Sequence, residues 1–360
     1  MVHSVLLMSN GQGRSCRPLR RAGIPLRIAS AVLIVAAVHF ASVAAGEAPA
    51  RALWVPSSAL ASSSSIERTI STAVSAGFDG IVAPFVAGSP ASFDGGAELI
   101  RRAREQGLAT HASVQVNLAA GVGELPPSRD HVIYQHPEWL MVPRQLAAVL
   151  LKTDARSPAY LGQISRWTRA NAERVDGLYV SPLDPAATTF LVKAVLDAVG
   201  RYAVDGVYLE TLDFPGDDFD YSRHALELFR TRTRSGMSPV ERARLDEIES
   251  IDPFAYAEEF PDEWRRFRES ALTELLGQLR SALKAIRPAV SVTVAARADA
   301  DASLRDHFQA WRVWLERGIA DRVGYRSRST GTVLLSPDGV FTAESDRQPA
   351  VQAAGVGGPQ

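Results

Sequence analysis

The chain has one cysteine among 360 residues, Cys16. A single thiol excludes an internal disulfide and any cysteine-based zinc site. No glycine-rich phosphate loop opens a helix, which argues against a dinucleotide-binding sheet. No nucleophilic serine elbow is present. The histidines His111, His131 and His136 lack zinc-ligand spacing, so no metal and no cofactor is expected. The triplet Asp217, Asp218 and Asp220 does not match a calcium loop with its closing Glu, and reads as a solvated loop.

An excess of charge is also lacking. The formal net charge is −1. Five arginines and no acid precede residue 45, so removing that segment leaves a mildly acidic chain. Such a chain is a poor partner for nucleic acid, which selects a basic face. The apolar run IASAVLIVAAVHFASVAA follows those arginines and leads into small residues. This order describes a secretory signal over residues 1–45 with cleavage after Ala45, and the expected destination is the periplasm or the exterior. Membrane contact is expected only through that segment, with an uncleaved anchor as the alternative.

What is present is alternation. Strand-like RALWV, FDGIVAPFV, LATHASVQVNL, VDGVYLE and VSVTVAA are separated by helical patterns, and IADRV begins a sixth strand. Ser64 or Ser65 is the expected cap of the first helix, and Asp184 with Pro185 opens the helix over 186–199. The clearest helix starts at Pro261 and stops before Pro288. One helix is expected to carry Phe308, Trp311 and Leu315 together, and residues 119–158 read as a long irregular stretch. Strands alternating with helices indicate a parallel α/β fold.

Side-chain alternation narrows the choice. His111, Ser113, Gln115 and Asn117 share one face of the third strand, and Tyr208 and Glu210 one face of the fourth. Ser291, Thr293 and Arg297 oppose Val292 and Val294 in the fifth. Polar faces that converge on an enclosed space describe a (β/α)8 TIM-barrel interior, whose reactive mouth lies at the strand C-terminal ends. Glu210 is then the leading catalytic candidate, suited to glycosidic chemistry as acid or nucleophile. Asp213 is the nearest second carboxyl, with Asp299 and Asp301 as weaker ones. A structural acid paired with Arg297 is the alternative for Glu210. Trp54 and Trp139 suit stacking on sugar rings. With His111, Gln115, Asn117, Tyr208 and Arg297 they make the expected substrate-binding set. The acidic, aromatic loops favour a neutral polar ligand over an anionic one.

The segments RALWV, HASVQVNL, HPEWLMVP, GLYVSPLDP, RYAVDGVYLE with FDYS, and WLERGIADRV stand in this order. The series resembles the bacterial glycosyl hydrolase-like family ten over residues 51–323. That resemblance implies a secreted or lipid-anchored glycoside hydrolase with a (β/α)-barrel and a carbohydrate substrate. In similar sequences the fourth strand ends in Asp, then Tyr, with a basic residue before the Pro. Here Glu210, Thr211 and Asp213 take those places. The alternating pattern stops after Val323, leaving one expected hairpin, VLLSPDGVFTA, and a tail over 324–360 that reads as irregular and out of frame. The expected domain is thus 46–323, a barrel truncated after its sixth strand. A hydrolase, a non-catalytic glycan-binding protein and an inactive fragment all remain open.

Overall fold

The computed structural model describes residues 50–85, 93–123, 125–327 and 330–341. The expected signal segment and the end of the tail lie outside the described residues. Among the described residues no helix is long and apolar enough to cross a membrane.

Nine strands are described: β1 (Ala50–Trp54), β2 (Gly80–Ala83), β3 (Ala109–Gln115), β4 (Leu118–Gly121), β5 (Gly177–Tyr179), β6 (Gly206–Glu210), β7 (Ser291–Ala295), β8 (Arg322–Arg326) and β9 (Thr332–Ser336). Seven of them close a barrel in the order β1-β2-β3-β6-β7-β8-β9. From β1 through β8 the barrel pairs are parallel. The last strand differs, because β9 runs antiparallel to both β8 and β1.

This corrects the expectation of a barrel left open. Ala50 pairs with Leu335 and Val323 with Ser336, so the edges of β1 and β8 are both covered. A closed sheet has no edge to offer another chain. The expected domain end at Val323 falls inside β8, and the barrel continues through Ser336. The expected hairpin within VLLSPDGVFTA is instead one strand, paired with β8 before it and β1 far behind it.

Helix capping follows local chemistry. Ser62, rather than Ser64 or Ser65, caps the helix Ser63–Ser75: its Oγ accepts from Ser65 N, and Ser65 reciprocates at the Ser62 amide. Asp94 and Asp184 cap the helices Gly95–Glu105 and Pro185–Val199. The long helix Pro261–Ile286 buries Trp264, Leu272, Leu275, Leu276, Leu279 and Leu283 along one face. The expected single helix around Phe308 is two, Ala300–His307 and Trp311–Glu316, because Phe308 sits at φ 56° and breaks the run. Residues 119–158 are not irregular throughout; they hold part of β4 and short helices at Val132–Gln135 and Arg144–Leu150. Strands β4 and β5 form a separate two-stranded antiparallel ribbon.

The sides of the barrel strands divide as alternation dictates. Ala112, Val116, Val207, Leu209, Val292, Val294 and Val323 belong to the large apolar core shared with the helices. Inside the barrel, Ala52, Val82, Tyr208, Val333 and Leu335 form a second, smaller cluster. Tyr208 needs the space left by glycine, since a Cβ at Gly324 would stand 2.3 Å from its Cε2. The interior is therefore a filled core, with Ser113 and Thr293 flanking Tyr208 at its middle level.

Candidate active site

Strand β6 carries Gly206, Tyr208 and Glu210 inward, one above another. Tyr208 is buried in the barrel and its hydroxyl donates to Gly324 O at 3.5 Å. Burial, with the Glu210 carboxylate nearby, pushes the phenol well above its ordinary range. It is a plug beneath the site rather than a surface for ligand.

Glu210 ends the strand half-buried, held by two donors from the adjacent β3 and one from β1. Its Oε1 accepts from Trp54 Nε1 at 3.1 Å and from Ser113 Oγ at 2.6 Å. Its Oε2 accepts from Gln115 Nε2 at 2.9 Å. The pairing of β3 with β6 sets Gln115 directly opposite Glu210 and Ser113 opposite Tyr208. Thr211 then turns the chain with φ 48°, a left-handed conformation uncommon for a β-branched residue. Its hydroxyl donates to Gln115 Oε1 at 2.7 Å, which fixes the Gln115 amide with its NH2 towards Glu210. All three donors to Glu210 are neutral groups. The ion pair with Arg297 weighed from the sequence is not among its contacts.

Asp213 lies beyond that turn. The residue keeps some exposed surface, but its Oδ1 is shut off from solvent and has no hydrogen-bond partner among the described residues. Burial pushes its carboxyl up to about 7; Arg297 pulls against that rise and Asp176 adds to it. Desolvation wins because it acts on the charged form directly, while Arg297 is exposed and screened by water. Asn117, buried on the β3 side, donates through Nδ2 to Asp213 O at 2.8 Å, and its own O accepts from Val180 N. It positions the loop. Arg268, buried on the long helix, donates to the carbonyls of Asp217 and Phe219 and fixes the loop's far end.

The structure thus brings Trp54, Gln115 and Glu210 into direct contact and sets Asn117 against Asp213, with Arg297 near enough to act on its charge. It separates two others. His111 pairs in register with Gly206, at the opposite end of β6 from Glu210. A Cβ at Gly206 would stand 2.2 Å from His111 Nδ1, so the imidazole is packed at the barrel floor. Trp139 stacks on His136 with ring centroids 3.8 Å apart and packs beside Phe190. The weaker acids are occupied: Asp299 caps the helix Ala300–His307 and Asp301 pairs with Arg312. A separate cavity of about 230 Å³ includes Glu138, Tyr160, Asp184 and His224 in its walls and none of the residues expected at the site.

The histidine has a measurable consequence. Burial, aided by Arg322 and opposed by Asp205, lowers His111 from 6.5 to about 4. Between these values the unfolded chain binds a proton that the folded chain does not, so stability falls as pH drops from 6.5 towards 4. The contribution is at most about 3 kcal/mol. Replacing His111 with Gln is expected to flatten this acid limb in urea unfolding at pH 7 and pH 4.5. An unchanged slope would assign the acid sensitivity to other groups.

Sequence reasoning missed Arg326 and passed over Ser113. Ser113 was readable as inward-facing from its phase with His111 and Gln115. Arg326 lay beyond the expected domain end. Its Cζ sits 3.5 Å from the centroid of the Trp54 ring, covering one indole face.

No curated protein matches the sequence. Among solved structures, the PgaB (BpsB) glycoside hydrolase domain from Bordetella bronchiseptica is similar at 13% identity, covering 77% of this chain and 74% of that one, with a TM-score of 0.45. A β-galactosidase from the psychrophilic Marinomonas ef1 is similar at 10% identity and TM-score 0.48, over 78% of this chain and 40% of its own. The β-galactosidase from Bacillus circulans sp. alkalophilus gives 13% and 0.46, over 77% and 39%. The chain thus spans about two fifths of these β-galactosidases. The family model described as Glycosyl hydrolase-like 10 matches residues 82–333, from β2 into β9. The chain belongs to the glycosyl hydrolase-like 10 family.

Proposed function

We propose that this chain hydrolyses a glycosidic bond in a cell-envelope or extracellular glycan, with Glu210 and Asp213 as its two carboxyls. Family membership supports the carbohydrate substrate, and the arginine-led apolar segment over residues 1–45 supports export. The observation that carries the reading is the contrast between the two acids. Glu210 accepts three hydrogen bonds from neutral donors, which fix its carboxyl at the end of β6. Asp213 is desolvated and held up to about 7, so it keeps its proton under mildly acidic conditions. A desolvated acid beside a second carboxyl anchored by hydrogen bonds suits the division of glycosidic chemistry between a general acid and its partner carboxyl. In this division Asp213 protonates the leaving oxygen, and Glu210 stabilises or attacks the developing positive charge at the anomeric carbon.

The test is release of reducing ends from a panel of envelope polysaccharides by the purified chain at pH 5 and pH 8. Cleavage of at least one member is expected, faster at pH 5 because Asp213 must be protonated. Cleavage faster at pH 8 would remove Asp213 from the acid role, and no cleavage of any member would favour a glycan-binding protein. The departures at Glu210, Thr211 and Asp213 from the pattern of similar sequences are what keep that second reading in view.

A further inference from the structure

Two of the acids that made the loop after β6 look hostile to anions, Asp218 and Asp220, are spent within the fold. Asp220 is buried and accepts from the amides of Val142 and Ser222 and from Ser222 Oγ. Asp218 pairs with Arg174 at 3.2 Å. The arginines at the mouth are in the opposite state. Arg326 ends β8 in phase with Gly324, whose Cα faces Tyr208 in the barrel interior, so the Arg326 side chain is directed inward at the mouth. Among the described residues it forms no hydrogen bond or ion pair, and its Nε is buried without a partner. Its guanidinium lies on the Trp54 ring, whose indole N–H in turn donates to Glu210. Arg297, two residues past the end of β7, likewise forms no ion pair or hydrogen bond among the described residues, and its charge reaches Asp213 and His307. The acids set against them are the two proposed reacting carboxyls, Glu210 and Asp213, with Asp176 exposed near Asp213.

A guanidinium with a desolvated, unpaired N–H is costly unless a ligand completes it. Stacking on indole orients its plane while leaving its in-plane donors free for a bidentate anion. We propose that the glycan taken at this mouth is anionic, bearing a carboxylate or a sulfate ester, and that Arg326 receives that group while Arg297 adds to the attraction. This reverses the neutral ligand expected from the sequence, and it rests on the reading of the mouth as a glycan site.

Binding tests it without requiring turnover. An oligogalacturonate, a sulfated oligosaccharide and a neutral oligosaccharide of similar length are titrated into the intact chain by calorimetry at low and moderate salt. One of the two anionic probes is expected to bind at least about tenfold more tightly than the neutral one, with affinity falling as salt rises. Which of them binds distinguishes carboxylate from sulfate. Arg326→Met is expected to remove most of that preference while leaving the neutral probe unchanged, and Arg326→Lys to restore only part of it. Because loss of Arg326 also uncovers Trp54, Arg297→Gln provides a second arm and is expected to reduce the same preference. Equal affinities for all three probes, no saturable binding of either anion, or equal loss for anionic and neutral probes in Arg326→Met would overturn the proposal. If neutral glycans are cleaved without any such preference, the inference fails and the hydrolase reading stands. If anions bind through Arg326 and nothing is cleaved, the reverse holds.

Discussion

A chain ending at residue 327, without β9, is expected to lose cooperative unfolding. Strand β9 buries Val333, Leu334 and Leu335, each nearly inaccessible to solvent. Burial of such side chains contributes about 1.5–3 kcal/mol apiece. Its removal also strips hydrogen-bond partners from β1 and β8 along their whole paired length and leaves Tyr208 without two of its inward neighbours. Against a net stability of about 5–15 kcal/mol, that combined loss leaves little or nothing. Urea unfolding followed by near-ultraviolet circular dichroism reads the result. A sharp transition at the midpoint of the full chain would show that β9 is not what closes the barrel. Leu335→Asp is a milder version, placing a charge against Tyr208 in the barrel interior, and should lower the midpoint without abolishing the transition.

Asp213→Asn is expected to make the chain more stable and less active. The sign follows from the direction of the shift. The Asp213 carboxyl is raised from 3.8 to about 7, so between those values the folded chain retains a proton that the unfolded chain has released. Stability therefore declines as pH rises through this window, and the penalty is complete above it. Asn carries no such penalty. The variant should melt higher than the parent at pH 8, by about 2–4 °C for each kcal/mol recovered, and no higher at pH 4. Its turnover should fall by roughly 10²–10⁴-fold, the usual contribution of a positioned general acid. A destabilising group retained at a mouth is what a stability–activity trade-off looks like. A variant no more stable at pH 8 than at pH 4, relative to the parent, would show that the carboxyl is hydrated and the buried-acid account wrong.

Much of the barrel was legible because its code is local. Alternation in HASVQ and GVYLE named the inward residues, and the capping residue Asp184 marked where its helix begins. Glu210 was legible for the same reason, as a carboxylate closing an apolar strand. What was not legible depends on partners distant in the chain. The direction of β9 is set by pairing Leu335 with Ala50, which no window of sequence contains. The split at Phe308 depends on one left-handed residue inside an otherwise helical pattern. Trp139 has the composition of a sugar platform, but the rings that cover it, His136 and Phe190, come from a neighbouring turn and a separate helix. His111 shares a strand face with Gln115, yet one residue lies at the floor of the barrel and the other at its mouth. Facing is periodic and readable, whereas depth follows from register. The raised proton affinity of Asp213 and the stacking of Arg326 on Trp54 are likewise products of tertiary burial.

The most direct test of the central claim is turnover by Glu210→Gln on whichever glycan the parent chain cleaves, with binding of that glycan measured on the same protein. Gln keeps the shape of the side chain and an acceptor oxygen for Trp54 and Ser113, but removes the charge. The account predicts a loss of turnover on the order of 10³-fold with affinity held within a few-fold. Turnover within about tenfold of the parent, with the fold intact, would contradict it and assign the Glu210 carboxylate to holding Trp54 and the neighbouring strands together.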